Sequence, residues 1–340
     1  SYVRGKYRYG DTVGRHGISV NANATHDGGW KKSSGYDQQK ATLRHDYEGT
    51  EWDIRTVLDG ANLEQDTAGF IRGFNAYKDG SLRKENPNPE AYRDAWSVRL
   101  YSAASLALDE DSTVTLTPYL RANDMDFLMH FLSWQPVEEN SHNSLGLRTH
   151  LDRDAGGLRW VGGIDLEYTD AELKETQRDD FSETIPAGVH YDYQVDATLA
   201  AAFGQVRSQW DSPWELDGGV RFEYTNYDYD NQTGDGSACA PGVPVNDCRF
   251  FRPGDREDDF SEWSLNGGVS YSFDPGHIAY LRLARGYRAP QATELYRLQG
   301  GQRCLAFGIA QRPGLVHRDP GRFGQRLDRA GLQAPAPTCR

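Results

Sequence analysis

The chain has 340 residues, a net charge of −13 and an apolar share of only 37%. The acidic balance excludes nucleic acid as a partner, because phosphate recognition needs a basic surface, and no apolar run of about 18 residues is present to cross a bilayer as a helix. The 19 Tyr, 8 Trp and 13 Phe suit either a strand-rich soluble core or a membrane–water boundary, since these rings favour strands and Tyr and Trp add a polar tip.

Period-2 alternation predicts about twelve strands: 1–9, 17–26, 36–48, 50–60, 94–108, 112–123, 142–151, 158–170, 190–206, 214–228, 260–273 and 277–286. The first two alternate least. Strand 94–108 sets Trp96, Val98, Leu100 and Leu106 on one face. Pro118 removes a ladder donor from strand 112–123 and calls for a bulge or a place near a strand end. In strand 158–170, Trp160, Ile164, Leu166 and Tyr168 oppose Arg159, Asp165 and Glu167. Strand 214–228 sets Trp214, Leu216, Val220, Phe222 and Tyr224 against Glu215, Asp217, Arg221 and Glu223, and strand 260–273 repeats the pattern from Trp263 through Val269 to Phe273. In 277–286 the apolar face is ambiguous between Ile278 with Tyr280 and Leu281 with Leu283. Apolar faces bounded by aromatics suit strands that cross a bilayer; ten residues at a tilt of about 45° span roughly 23 Å, close to the apolar band of an outer-membrane barrel.

From residue 36 onward, short and long connections alternate. The short ones are Glu48–Glu51, Asp109–Asp111, Asp152–Gly157, Arg207–Pro213 and Asp274–Gly276, and the long ones are about 61–93, 124–141, 171–189 and 229–259. A soluble sandwich has no reason to keep its long loops at one end, whereas an up-and-down transmembrane β-barrel does so. The expected fold is therefore all-β and antiparallel. Loop 124–141 holds Phe127, Met129, His130, Phe131 and Trp134, too apolar for an idle solvent loop; they either contact ligand or pack between loops. Tyr227 and Tyr229 read as an aromatic girdle or as ligand contacts. Lumen arginines such as Arg99, Arg121, Arg148 and Arg221 either attract an anion or pair with acids such as Asp165, Asp217 and Glu223. Cys239 and Cys248, in a polar loop, are expected to form a disulfide. The scattered histidines have no zinc spacing and no Ser/His/Asp cluster stands out, so no metal, cofactor or catalytic residue is assigned.

Residues 286–302, GYRAPQATELYRLQGGQ, resemble the barrel segment of TonB-dependent outer-membrane receptors, an aromatic-Arg-Ala-Pro stretch followed by Glu-Leu-Tyr. The matching residues are Tyr287, Arg288, Ala289, Pro290, Glu294, Leu295 and Tyr296, and the preceding LRLARG also fits. The resemblance implies a 22-stranded barrel filled by an N-terminal plug. Twelve strands are about half of that, so residues 1–302 are expected to be a partial barrel, with plug, energy-coupling box, C-terminal strands and signal peptide outside this chain. Residues 303–340 break the pattern: seven Arg and two Asp give them +5, which leaves −18 on residues 1–302. They read either as a disordered basic extension or as an out-of-frame stretch. The abrupt change straight after the motif favours the second, and low order is expected in both cases.

The function implied by the resemblance is active uptake of a scarce nutrient across the outer membrane of a Gram-negative bacterium. A ferric siderophore is the expected cargo, captured by the extracellular loops, with outer-membrane lipid around the wall and the TonB energy-transducing complex acting through the plug. A passive porin and an outer-membrane barrel enzyme are the alternatives.

Overall fold

In a computed structural model, which describes residues 1–274 and 276–299, twelve long antiparallel strands form one sheet in strict chain order. They are β1 (Tyr2–Val13), β2 (His16–Asp27), β3 (Tyr36–Glu48), β4 (Trp52–Asp66), β5 (Tyr92–Asp109), β6 (Ser112–Leu128), β7 (Val137–Ala155), β8 (Leu158–Gln177), β9 (Gly188–Ser208), β10 (Trp214–Asn231), β13 (Arg256–Asp274) and β14 (His277–Arg285). The two-residue strands β11 (Gly236–Ser237) and β12 (Phe251–Arg252) pair with each other inside the loop between β10 and β13. A five-residue helix, α1 (Ala292–Tyr296), follows β14. Every strand expected from alternation is present. Short turns and long connections alternate from the first hairpin, so all the long loops leave the same end of the sheet. The tight turn between β7 and β8 is Gly156–Gly157, both at positive φ (62° and 74°), the backbone that a two-residue hairpin demands. Residues 303–340, expected to be of low order, lie outside the described residues, as do Cys304 and Cys339.

The register assigns the faces. Leu147, Leu166, Ala200, Tyr224 and Ser261 line up across β7–β13, placing one apolar stripe on the outside. This face is bare: Trp160 is 49% exposed and Leu216 41%, so the large apolar side chains within the band coat a wall and fill no interior. Lipid is the solvent that such a surface fits. Aromatics mark its borders, with Trp214 against Tyr271 (4.7 Å) near the short turns and Phe222 against Trp263 (4.9 Å) toward the loops. Pairing of Gly267 with Leu283 and Val269 with Leu281 puts the two leucines of β14 on the lipid side and resolves the ambiguity of that strand. Pro118 needs neither a bulge nor a strand end. The β5–β6 ladder lapses between the Tyr101–Tyr119 and Ala104–Leu116 pairs and resumes in the same register, because only the missing N–H has to be accommodated.

The strands run further toward the loops than their alternation indicates. The connection expected at 124–141 is confined to 129–136, and Phe127 belongs to β6, where it is buried. Above the lipid band the polarity of the two faces exchanges. Outward positions become Asp124, Asp170, Glu172, Asp192 and Asp228, while inward positions become Phe127, Leu173, Tyr193, Val195 and Tyr229, all buried. Water replaces lipid outside, and packed loops replace the wet lumen inside.

Inside the band, small residues let side chains reach second-neighbour strands. Tyr119 on β6 and Glu167 on β8 both pair with Gly146 on β7, and the Tyr119 hydroxyl donates to Glu167 across it. A Cβ on Gly146 would lie 2.1 Å from the Tyr119 ring. Arg282 on β14 likewise reaches Asp217 on β10 (3.1 Å) across Gly268. Gly146→Leu is therefore expected to push Tyr119 off Glu167 and cost about 1–3 kcal/mol by overpacking. Denaturant unfolding in micelles should show most of the loss restored when Tyr119→Ala is added.

Candidate functional site at the loop end of the wall

The sequence motif folds into the mouth of the half-barrel. After Pro290, Gln291 caps α1, and the Glu294 carboxylate accepts the Gln291 backbone N–H (2.7 Å) and pairs with Arg288 (2.9 Å). Leu295 and Tyr296 are thereby aimed inward. Tyr296 is fully buried, stacks on Tyr229 at 4.1 Å and donates to Asp258 at 3.0 Å. Tyr191, Tyr193, Val195, Leu173, Ile185 and Phe250 complete a dry aromatic core, and Trp134 and Tyr227 pack against its edge. Burial pushes the phenols of Tyr191, Tyr193, Tyr229 and Tyr296 upward, so all four are neutral at physiological pH.

Arg297 locks this arrangement. Its guanidinium pairs with Glu138 of β7 at 2.7 Å and with Glu175 of β8. Burial lowers the Arg297 pKa, and the Glu175 and Glu138 charges outweigh that and hold it above its ordinary value. Glu175 also meets His190 Nδ1 at 3.0 Å, and His190 Nε2 lies 2.9 Å from the Pro186 carbonyl. Both ring nitrogens of His190 thus face acceptors, the Glu175 carboxylate and the Pro186 carbonyl, which fixes the orientation of the ring. The ring of His190 stacks on Phe250 at 3.6 Å, which ties in the loop between β10 and β13. That loop is stapled by the Cys239–Cys248 disulfide, as the spacing suggested. Tyr191 donates to the Leu298 carbonyl at 2.6 Å, and the Phe251 N–H reaches the same oxygen at 3.0 Å.

The residues singled out by sequence therefore separate into four places. Trp134, Tyr227 and Tyr229 join the motif's Leu295 and Tyr296 around one core, with Tyr227 and Tyr229 facing inward instead of forming a girdle. Trp134 sits between Phe181 (6.1 Å) and the Arg249 guanidinium (4.4 Å), so it packs between loops. Phe127 lies under Arg93 at 5.1 Å. Arg121 and Arg148 stand lower, on the lumen face. Arg121 pairs with Glu167 at 2.6 Å, whereas Arg148 lies over the Tyr119 ring at 5.3 Å and has no carboxylate partner among the described residues. Arg99 pairs with Asp59, and Arg221 with Asp165 and Glu223, so pairing prevails over a free anion funnel along the wall.

His130 stands apart. Its Nδ1 lies 3.3 Å from the Thr67 hydroxyl, on the border of a cleft of about 520 Å³ between the 67–91 and 129–136 connections. Phe70, Arg72, Asn86 and Phe131 also line it. Asn86 organises the floor: its side-chain oxygen accepts the N–H of Gly69 (3.2 Å) and of Asn88 (2.9 Å), and its amide donates to the carbonyls of Ser33 (2.7 Å) and Thr67 (3.2 Å). The volume is that of a small-molecule site. Alternation gave no signal for Arg297, Glu138, Glu175 or the 67–91 cleft. Only the position of Arg297, directly after the motif, hinted at a role.

Residues 1–315 match the family model described as TonB dependent receptor-like, beta-barrel. No curated protein sequence matches. Solved structures share the fold. The ferric citrate transporter FecA in its unliganded form superposes with a TM-score of 0.65 at 12% identity, over 84% of this chain and 41% of that one. The ferric-catecholate import receptor Fiu from E. coli K12, open form, gives 0.64 at 14%, over 85% and 53%. The copper transporter OprC gives 0.64 at 12%, over 86% and 44%. The chain thus spans about half the length of these structures or less, and at such identities the likeness concerns fold alone. Proteins of this family are outer-membrane transporters of Gram-negative bacteria and not enzymes. By its family match, its single up-and-down sheet and its bare apolar face, this chain belongs to the TonB-dependent receptor β-barrel family.

Proposed function

We propose that the chain is the barrel portion of an outer-membrane receptor for TonB-coupled uptake of a scarce nutrient, with a ferric siderophore as cargo captured by the extracellular loops. The observation that carries this is the family match over residues 1–315, joined to a wall whose long loops all leave one end. Two of the similar structures are an iron-citrate transporter and a ferric-catecholate receptor by their titles, which supports iron; the copper transporter among them makes metal identity the point to test. In this reading the aromatic core and Arg297 fix the mouth, and the cleft beside His130 and Phe131 meets the cargo. A plug delivered by the same receptor couples it to the inner-membrane TonB complex. The test is uptake of radiolabelled iron chelates by iron-starved cells before and after deletion of the gene. Uptake of at least one chelate should fall to background and return with the full-length gene, but not in cells lacking TonB. Unchanged uptake across ferric chelates, with loss of copper uptake instead, overturns the choice of iron.

A further inference from the structure

Among the long loops, positive charge collects in one place. The connections 28–35 and 67–91 contain six Lys and Arg (Lys31, Lys32, Arg72, Lys78, Arg83, Lys84) against three acids (Asp79, Glu85, Glu90). The other large loops run the opposite way: 178–187 has one Arg against three acids, and 232–255 has two Arg against three. In the positive pair, cations lie over exposed rings. Lys84 is 4.3 Å from the Trp30 ring centre, Arg72 is 5.6 Å from Phe70, and Lys78 is 5.8 Å from Tyr77. Trp30, Phe70, Tyr77 and, across the cleft, Phe131 are each more than half exposed. Glu85 also lines the cleft, but Lys32 neutralises it at 2.5 Å. Arg72 has no carboxylate partner among the described residues and borders the 520 Å³ space.

An uncompensated guanidinium beside stacking faces selects for two properties at once. Negative charge is drawn to the fork of Arg72, and flat rings are drawn to Phe70 and Phe131. Such rings waste little conformational entropy on binding, which suits a rigid planar ligand better than a flexible aliphatic one. We infer that the cleft formed by Phe70, Arg72, His130 and Phe131 is an entry subsite for anionic chelates whose metal-binding arms are aryl rings. This rests on the uptake reading above and narrows it by charge and shape. Neutral or cationic chelates with aliphatic arms gain neither contact.

The test uses the full-length receptor purified in detergent, titrated with a ferric tris(catecholate) complex and, separately, with a neutral ferric trihydroxamate, following tryptophan fluorescence. The anionic aryl complex should bind more tightly and weaken with salt. Arg72→Gln and Phe70→Leu should each weaken it about tenfold, the size of one lost charge-assisted or stacking contact. Arg159→Gln, at the opposite end of the wall, should leave it unchanged. Equal affinity for the two chelates, or no effect of either cleft substitution, overturns the assignment. Iron uptake by cells separates the two proposals: transport of a trihydroxamate with Arg72→Gln fully active removes the subsite and leaves uptake standing. Tight, Arg72-dependent binding of the catecholate without any transport leaves the subsite and removes uptake.

Discussion

Arg297→Ala is expected to destabilise the mouth of the barrel by about 3–5 kcal/mol, because it strands two buried carboxylates that share one guanidinium. Glu138 and Glu175 are both buried, and their remaining contacts, Asn140 for the first and His190 for the second, do not replace the missing charge. Guanidinium unfolding in micelles should show an early transition for the variant, with loss of fluorescence from Trp134, which packs on the same core. A control separates charge burial from mere contact. In Glu138→Gln/Glu175→Leu/Arg297→Met the two carboxylates and the guanidinium of the lock are gone, and adding His190→Phe removes the imidazole left without its Glu175 partner. The quadruple variant should be close to wild type in stability, since apolar side chains of similar volume avoid the desolvation cost. A loss below about 1 kcal/mol for Arg297→Ala would mean that the lock is ornamental and the aromatic stack holds the mouth alone.

The second large effect tests the wall itself. Ile164 lies midway between Trp160 and Tyr168 on the outer face and is 47% exposed. Ile164→Arg should cost about 2–4 kcal/mol in a bilayer, as a cation at the mid-plane of a barrel does. Asn266 points to the lumen, beside Gly219. Asn266→Arg should stay within about 1 kcal/mol, because its new charge remains in water. Reversible folding into thin-bilayer vesicles gives both numbers. Equal costs at the two positions would contradict the assignment of faces, and with it the membrane reading of every strand.

How far the sequence disclosed this structure depends on the solvent at each height. Between Trp160 and Tyr168 lipid lies outside and water inside, so polarity alternates with the strand period and Leu166 or Leu216 reports its own orientation. Above Tyr168 that rule inverts. Asp170, Glu172 and Asp192 face outward, and Leu173, Tyr193 and Tyr229 face inward. A pattern calibrated on the membrane therefore stops at the boundary, which is why Phe127 passes for a loop residue and Tyr229 for a girdle residue. The motif Glu294-Leu295-Tyr296 was visible as a motif, but its target was not. Arg297 meets Glu138 and Glu175 across separations that only the barrel closes, and no local spacing encodes them. The cleft beside Arg72 escaped because connection 67–91 holds two single-turn 3₁₀ helices and no periodic pattern.

The arginines of the lumen face have a consequence for traffic past them. Arg99 with Asp59, Arg121 with Glu167, Arg221 with Asp165 and Arg282 with Asp217 are coupled at 2.6–3.1 Å. Each couple is a dipole, whose field fades much faster with distance than that of a lone ion and is further damped by salt. Along these four couples the lumen face presents dipoles in place of lone ions, with Arg148, over the Tyr119 ring, as an exception among the described residues. On the proposed uptake reading, sorting by charge then falls to the outermost loops.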